Sequence, residues 1–443
     1  MTARGRVTTP GRGPVLPDGS SGWSRSLLRG FLIFLLIAGI GTVAAVTTLG
    51  LAAPGVSFGG ALRVAGLYLG PFHHVALVFE GVLAVDASRL PGANLPGGGS
   101  ATVELGVALL AVTAFAVWLL FRAGRLSAFG DRASVRALTA SRVALGYAPP
   151  VLLVALLVRF EEPIELGSFL NGGVRISLST WQALVFPFAI ASLAGASGGV
   201  WSWASSALDP SAARARAVLG GGWRMFLLAL ALSYIGLFVA GIAQPDEAVA
   251  LATPSTARYV DTVFERPGPG SALLAHHLAL SPNEAIWTFV PAAGACDVIR
   301  GSERSDVLCY GRFPSFAMST GEVAFGNAPA GYLAFLLVPA IATIADGRWA
   351  GSASERSGLG SAAVGAVAGV VFAALMLAGC VLSSITLSYG TASEAVGRSG
   401  HLWIGPDPVT GTLVALAWGV VGGALGGATS RFRGSREVRT PAG

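Results

Sequence analysis

The sequence predicts an all-α, polytopic transmembrane helix bundle of about eight spans with an extracytoplasmic loop subdomain. Of its 443 residues, 53% are hydrophobic and 12% are charged, and the mean hydropathy is +0.67. Soluble domains carry about 25% charged residues. Apolar stretches recur at roughly the 20 residues that a helix needs to cross a bilayer. The loops between them are alternately rich and poor in arginine.

Eight apolar stretches are predicted to span the membrane. They are Gly30–Leu51, Leu105–Phe121, Val143–Val158, Thr180–Gly199, Met225–Ala243, Ala328–Ala345, Leu359–Leu387 and Thr410–Thr429. Prolines at 149, 150 and 187 interrupt the third and fourth, which membrane helices tolerate when neighbouring helices satisfy the freed backbone groups. The first span is too long for the apolar region of a cleaved signal peptide, so we expect it to be retained.

The distribution of arginine predicts the orientation. With the N-terminus inside, the cytoplasmic segments hold 19 of the 29 arginines and 6 of the 23 acidic residues. They are 1–29, 122–142, 200–224, 346–358 and 430–443. Arginine-rich loops stay in the cytoplasm, so we expect a cell-membrane protein with both termini cytoplasmic. The net charge of +6 then indicates contact with the anionic lipid bilayer rather than with nucleic acid.

One apolar segment, 56–84, does not fit a simple span because it carries Arg63, His73, His74 and Glu80. A ninth span here would reverse the orientation of everything after it. An interfacial or re-entrant hairpin on the outer face is the preferred interpretation, since irregular backbone is allowed at membrane depth where protein covers it.

The spans divide into two sets of four with the same orientation, residues 30–199 and 225–429, joined by a cytoplasmic linker at 200–224. Each half has a long outer segment, 52–104 in the first and the cap 244–327 in the second. Each outer segment contains a His-His pair, and "SLAGASGGVWS" in the first half resembles "GALGGATS" in the second. These similarities predict an internal repeat, although chance similarity between apolar sequences is the alternative.

The histidines and one acid are candidate metal ligands, because imidazole and carboxylate groups suit zinc-like ions. The candidates are His73, His74, His276, His277, His401 and Glu80. Adjacent histidines point in different directions along a helix or strand, which favours a structural role for each pair. No cofactor-binding motif occurs, and no cofactor is expected.

Cys296 and Cys309 bracket a short polar hairpin in the predicted outer cap, and outside the cytoplasm such a pair favours a disulfide over two free thiols. Cys380 lies in a span and is expected to be a packing residue.

Ser197 matches the G-x-S-G pattern of rhomboid-type intramembrane proteases. A serine nucleophile needs a base at about 3 Å, whereas every histidine is predicted on the opposite side of the membrane. The chain is therefore not expected to be an enzyme.

The segment "LALSPNEAIWTFVPAAGACD" (278–297) carries Pro282, Asn283 and Trp287 before a run of small residues. With the overall plan of spans, it resembles the actinobacterial multi-pass membrane proteins of the "streptophobe" type, whose function is unknown. The resemblance covers one short motif and implies no activity.

Two function classes remain open. A permease-like or transport-associated role is supported by the repeat and the proline- and glycine-broken spans. A non-catalytic envelope scaffold, with other envelope membrane proteins as partners, is supported by spans that carry no midplane charge and by the large outer cap. Neither class identifies a substrate.

Overall fold

The computed structural model describes residues 19–52, 58–85, 99–165, 170–206, 210–243, 270–301, 305–308, 334–353, 359–393 and 398–430. These residues form eleven helices and eight strands. The helices are α1 (Gly19–Ala52), α2 (Phe58–His73), α3 (Leu110–Ser127), α4 (Ala133–Ser141), α5 (Val143–Leu157), α6 (Thr180–Ser206), α7 (Pro210–Ala243), α8 (Gly270–Ala293), α9 (Leu337–Ala353), α10 (Leu359–Ser383) and α11 (Pro408–Thr429).

Seven helical segments are long and apolar enough to cross a membrane, which confirms the predicted polytopic bundle. They are Gly22–Val43, Leu110–Ser127, Ala133–Leu157, Thr180–Ser205, Ser211–Gly236, Gly360–Ser383 and Pro408–Thr429. Each overlaps one of the predicted spans. The remaining prediction, 328–345, overlaps α9, which has 17 residues and carries Asp346 and Arg348. α9 is thus shorter than the seven.

The strands form one antiparallel sheet that the sequence analysis did not predict. They are β1 (Leu77–Val85), β2 (Gly99–Gly106), β3 (Arg159–Glu165), β4 (Leu170–Leu178), β5 (Asp297–Gly301), β6 (Ser305–Leu308), β7 (Ile385–Ser393) and β8 (Arg398–Pro406). Their order is β3-β4-β1-β2-β7-β8-β5-β6. Every strand pair that is consecutive in the chain joins two helices, so the whole sheet lies at one end of the bundle.

The sheet is amphipathic because side chains alternate between its faces. One row of paired residues is leucine in five neighbouring strands, in the order Leu178, Leu77, Leu105, Leu387 and Leu402, and ends at Gly301 in β5. On the other face, Arg175 forms ion pairs with Glu161 (2.7 Å) and Glu80 (3.5 Å). These pairs are about half exposed, which places the polar face toward water.

The same order of elements occurs twice along the chain. From α1 to α6 the described elements are two helices, a hairpin, a helix, the span formed by α4 and α5, a second hairpin and a last helix. From α7 to α11 the described elements follow in the same order, with α10 in the place of the α4–α5 span. The sheet divides in the same way, into β3-β4-β1-β2 and β7-β8-β5-β6, joined by pairing of β2 with β7.

Glycines bring the last span of each half into backbone contact with its neighbours. A Cβ atom at Gly198 in α6 would overlap the carbonyl oxygen of Phe121 in α3, and one at Gly426 in α11 would overlap that of Ile344 in α9. The two glycines belong to "GASGG" (195–199) and "GALGG" (423–427), so these sequences make the same crossing in both halves. Small residues at helix contacts are the usual basis of close packing in membranes.

Candidate functional site: two helix ends inside the bundle

Two helices, α2 and α8, end inside the bundle below the sheet. At the end of α2, Leu69, Phe72 and His73 are each 2–3% exposed. In α8, residues 283–290 are all buried, although this stretch belongs to the predicted outer cap. We call residues 69–76 and 289–296 the inner helix ends. The prediction of a re-entrant segment at 56–84 is compatible with the course of α2.

The inner helix ends have the same backbone geometry. The chain reverses at His74 (φ 59°) and at Gly294 (φ 103°). The next amide donates back into the helix in both cases, Val75 N–H to the Gly70 carbonyl at 2.9 Å and Ala295 N–H to the Val290 carbonyl at 3.1 Å. His74 therefore corresponds to Gly294, and the two His-His pairs of the sequence do not occupy corresponding positions.

Both helices contribute to the N-terminal end of α3. The first amide groups of a helix have no partner within it and need outside acceptors. The Pro71 carbonyl, from the end of α2, accepts from Leu109 N–H at 2.9 Å. Asn283 of α8 accepts from Leu110 N–H at 3.1 Å and donates to the Ala108 carbonyl at 2.8 Å. Asn283 thus connects the two halves at a fully buried point.

The first inner helix end contains a buried hydrogen-bonded pair. His73 Nδ1 lies 2.7 Å from the carbonyl oxygen of its own helix residue Leu69, and Nε2 lies 2.5 Å from the Tyr147 hydroxyl in α5. The carbonyl can only accept, so Nδ1 carries the proton and Nε2 accepts from Tyr147. Ala293 and Phe372 stand at the corresponding places in the second half, so the second half lacks both partners.

His74 combines an unfavourable backbone with an unpartnered side chain. A positive φ is uncommon outside glycine and costs about 1–2 kcal/mol for other residues. Its ring lies 5.3 Å from the ring of Phe186 in α6, and its buried Nδ1 has no hydrogen-bond partner among the described residues. Strain of this kind, where the other half has glycine, marks His74 as a candidate functional residue.

Replacing His74 with glycine is expected to change the free energy of unfolding by less than about 1 kcal/mol. Glycine relieves the strain at this φ, and this gain offsets the lost ring contact and the added freedom of the unfolded chain. Val75→Gly is the matched control, because Val75 is 1% exposed and its removal leaves a cavity costing about 2 kcal/mol or more. Thermal unfolding in detergent measures both. If His74→Gly lowered the free energy of unfolding as much as Val75→Gly does, His74 would be a packing residue of the core.

Two acidic residues, Asp297 and Asp407, adjoin the second inner helix end. Asp297, at the start of β5, is 6% exposed, and its Oδ1 has no hydrogen-bond partner among the described residues. Burial raises the pKa of Asp297 well above its ordinary value, which favours the neutral carboxyl group. Asp407 accepts from Arg300 at 3.0 Å and from the Thr410 hydroxyl at 2.8 Å. The corresponding residues in the first half are Leu77 and Ser179.

The predicted metal ligands lie in different places. His73 and His74 are at the first inner helix end, Glu80 is paired with Arg175, and His401 is exposed on β8. His276 and His277 belong to α8, but their side chains are outside the described residues. In the part of the chain that the structure describes, no three His, Cys, Asp or Glu side chains are grouped as a metal site.

The predicted disulfide involves Cys309, which lies outside the described residues, so it stays a prediction. Cys296 is buried at the start of β5. Asp297, the next residue, pairs with Leu308 across the hairpin. Cys380 is a buried free thiol in α10.

Ser197 is exposed on α6, between glycines that face the neighbouring helices. The G-x-S-G pattern therefore belongs to a helix crossing. Tyr147, Asp297 and Asp407 are site residues that the sequence analysis missed, and no local motif distinguishes any of them.

Comparison with known proteins gives no match, whether against protein-family models, curated proteins or solved structures. The resemblance to the streptophobe type stays a prediction.

Proposed function

We propose that the chain is a permease-like membrane protein whose translocation path passes the two inner helix ends. One observation carries this proposal: two corresponding helices end within the bundle, one with histidine side chains and the other with carboxyl groups. Helices that break inside a membrane protein, in each of two repeats, recur at the substrate sites of transporters. Ionisable groups at such depth are by default candidates for function.

A duplication of one four-span unit accounts for the two ends. The repeated order of elements, the paired glycine crossings and the matching reversals at His74 and Gly294 support it. Four spans per unit give both halves the same orientation, as in parallel-repeat transporters. The unit would then have diverged chemically at the inner helix ends while its backbone was kept.

The sheet is proposed to lie outside the cell membrane, with both termini in the cytoplasm. Arg25, Arg29, Arg125 and Arg142 support this orientation, because they lie at the end of the bundle away from the sheet, and arginine near spans stays inside. The lipid bilayer is the proposed environment, and other envelope membrane proteins are candidate partners of the sheet. No catalytic step and no cofactor enter this proposal.

A non-catalytic envelope scaffold is the second candidate. It is favoured because neighbouring side chains already donate hydrogen bonds to carbonyl oxygens at the inner helix ends. The Phe72 carbonyl accepts from the Thr113 hydroxyl at 3.0 Å, and the Ala293 carbonyl accepts from the Trp418 indole at 3.0 Å. Ends satisfied in this way suit a rigid bundle as well as a transport path.

Water access to position 74 separates the two candidates. We expect a cysteine replacing His74, in a chain whose cysteines 296, 309 and 380 are all replaced by serine, to react with a charged, membrane-impermeant thiol reagent in native membranes, because a path must admit polar solutes. Leu120→Cys is the matched control, since Leu120 is 0% exposed in α3 and should react only after denaturation. Equal protection of both cysteines from either side of the membrane would reject the permease proposal and favour the scaffold. The side from which position 74 reacts also tests the orientation.

A further inference from the structure

At the end of the bundle away from the sheet, Arg142 is held between two aromatic rings. It lies between α4 and α5, and its guanidinium carbon is 4.1 Å from the centre of the Trp23 ring and 5.4 Å from that of Phe129. Stacking on aromatic faces fixes the plane of a guanidinium group while leaving its N–H edges able to donate. The cation is therefore oriented before any ligand binds.

Arg29 approaches the same end of the bundle from α1. α1 and α5 touch through their backbones, since a Cβ at Gly30 would overlap the Val143 carbonyl oxygen. Arg29 and Arg142 are the residues that precede these two contact points. Arg29 also donates to the Ser127 hydroxyl at 2.9 Å, at the C-terminal end of α3. Arg29 and Arg142 thus both contact the C-terminal end of α3 and the residues just after it, Arg29 at Ser127 and Arg142 at Phe129.

No acidic side chain in the part of the chain that the structure describes compensates the charge of Arg29 and Arg142. Among the described residues, no carboxylate lies within ion-pair distance of Arg29 or Arg142. In the second half, by contrast, Arg224 stacks on Trp349 at 4.6 Å and forms an ion pair with Asp346 at 3.0 Å. The charge of Arg224 is therefore already neutralised by Asp346.

The corresponding positions in the second half carry no charge. Gly30 in α1 corresponds to Gly222 in α7, because each meets the equivalent carbonyl of the neighbouring span, that of Val143 or Ala368. The residues that stand for Arg29 and Arg142 are then Gly221 and Val367. The pair of arginines is a property of the first half alone.

Exposed apolar side chains adjoin the two arginines. Leu28 and Leu32 of α1 are 56% and 52% exposed, and Leu145 of α5 is 44% exposed. In a membrane these side chains face acyl chains. A ligand that presents a phosphate to Arg29 and Arg142 can therefore lay hydrocarbon along α1 and α5.

We propose that Arg29 and Arg142 form a binding site for the phosphate of an anionic phospholipid. The two guanidinium groups donate to the phosphate oxygens, and the Ser127 hydroxyl lies beside them. Arginine suits this task because its planar donors match phosphate geometry. Basic pockets between membrane helices bind anionic headgroups by the same chemistry. The apolar side chains at the site favour a lipid over soluble phosphate. This site does not depend on the proposed transport role.

The test compares lipids on the purified full-length chain in nanodiscs. Phosphatidylglycerol, compared with phosphatidylcholine, is expected to raise the Tm of the unaltered protein and to be retained as bound lipid in native mass spectrometry. Arg29→Gln combined with Arg142→Gln should remove most of this shift and of the bound lipid. Arg224→Gln is the matched control and should keep both, because Arg224 already has a carboxylate partner.

Other outcomes overturn the proposal. Equal Tm values in the two lipids would show that no anionic headgroup is recognised. A shift produced equally by inorganic phosphate in phosphatidylcholine nanodiscs would assign the site to a soluble anion. Arg142→Lys guards against misfolding of the double variant, since it keeps the charge and loses the paired donors. It should retain the Tm in phosphatidylcholine and lose part of the shift, and full retention of the shift would contradict a phosphate held by the guanidinium group.

Discussion

Replacing Gly423 with valine is expected to prevent stable folding of the second half. Gly423 in α11 faces Gly365 in α10, where a Cβ would overlap a carbonyl oxygen, and the Met225 side chain lies 3.3 Å away. Overpacking of a core costs about 1–3 kcal/mol when side chains can adjust. Here a backbone must move, and α9, α10 and α11 meet at this point, so we expect a loss of more than about 3 kcal/mol. Thermal unfolding in detergent and the yield of folded protein measure it.

Gly39→Val is the matched control for this prediction. Gly39 lies on the exposed side of α1, and no atom lies within 4 Å of a Cβ built there. The same substitution should leave the Tm nearly unchanged, since a β-branched residue facing lipid meets no neighbour. A normal Tm for Gly423→Val would show that α10 and α11 do not approach as closely as the glycines indicate.

The spans were predictable because each is a local property of the sequence. Val143–Val158 and Thr180–Gly199 were predicted from apolar composition, and α5 and α6 begin at the same residues. Helix ends were less predictable: α6 continues to Ser206, beyond the apolar stretch. A helix in a bundle can extend beyond the hydrocarbon core of the membrane.

The sheet was not predictable from the same signal. β1 reads "LVFEGVLAV", which an average over about 20 residues merges with the apolar helix before it. β1 pairs with the next strand, β2, but other pairings join strands that are remote in sequence, β1 with β4 and β2 with β7. No local pattern encodes such pairing, and register depends on which faces become buried.

The candidate site was predictable in part. His73 and His74 were singled out as candidate metal ligands in an apolar segment, and Asn283 was named as part of the segment that carries the streptophobe resemblance. All three lie at or beside the inner helix ends. Tyr147 was not, because a tyrosine in a span is ordinary until its partner is known. The glycine motifs that predicted the repeat make corresponding contacts, whereas the His-His pairs do not correspond. A glycine in backbone contact cannot be replaced without moving a helix, so the glycine contacts are alike in both halves. The histidines make no such contact and can differ between the halves.

Replacing Asn283 with leucine is expected to uncouple the two halves, the second large effect. The side chains are similar in volume, so packing changes little, but Leu110 N–H and the Ala108 carbonyl lose their partner in a buried place. Each unsatisfied group costs about 1–3 kcal/mol, which gives roughly 2–6 kcal/mol for the pair. Trp287→Phe in the same helix is the matched comparison. It frees only the Ser383 carbonyl and should cost about 1 kcal/mol.

Thermal unfolding in detergent compares the stabilities of the two variants. Cleavage at a protease site inserted between Ser206 and Pro210 tests the contact between the two halves, here called the joint, directly. After cleavage, the halves of the unaltered chain should stay together on a sizing column, because Asn283 holds the end of α3 against α8. The halves of Asn283→Leu should separate more readily. If that variant unfolds no earlier than Trp287→Phe and its halves stay together, then the joint depends on the β2–β7 pairing of the sheet instead. Asn283 would then be a local cap of α3 without a role in holding the halves together.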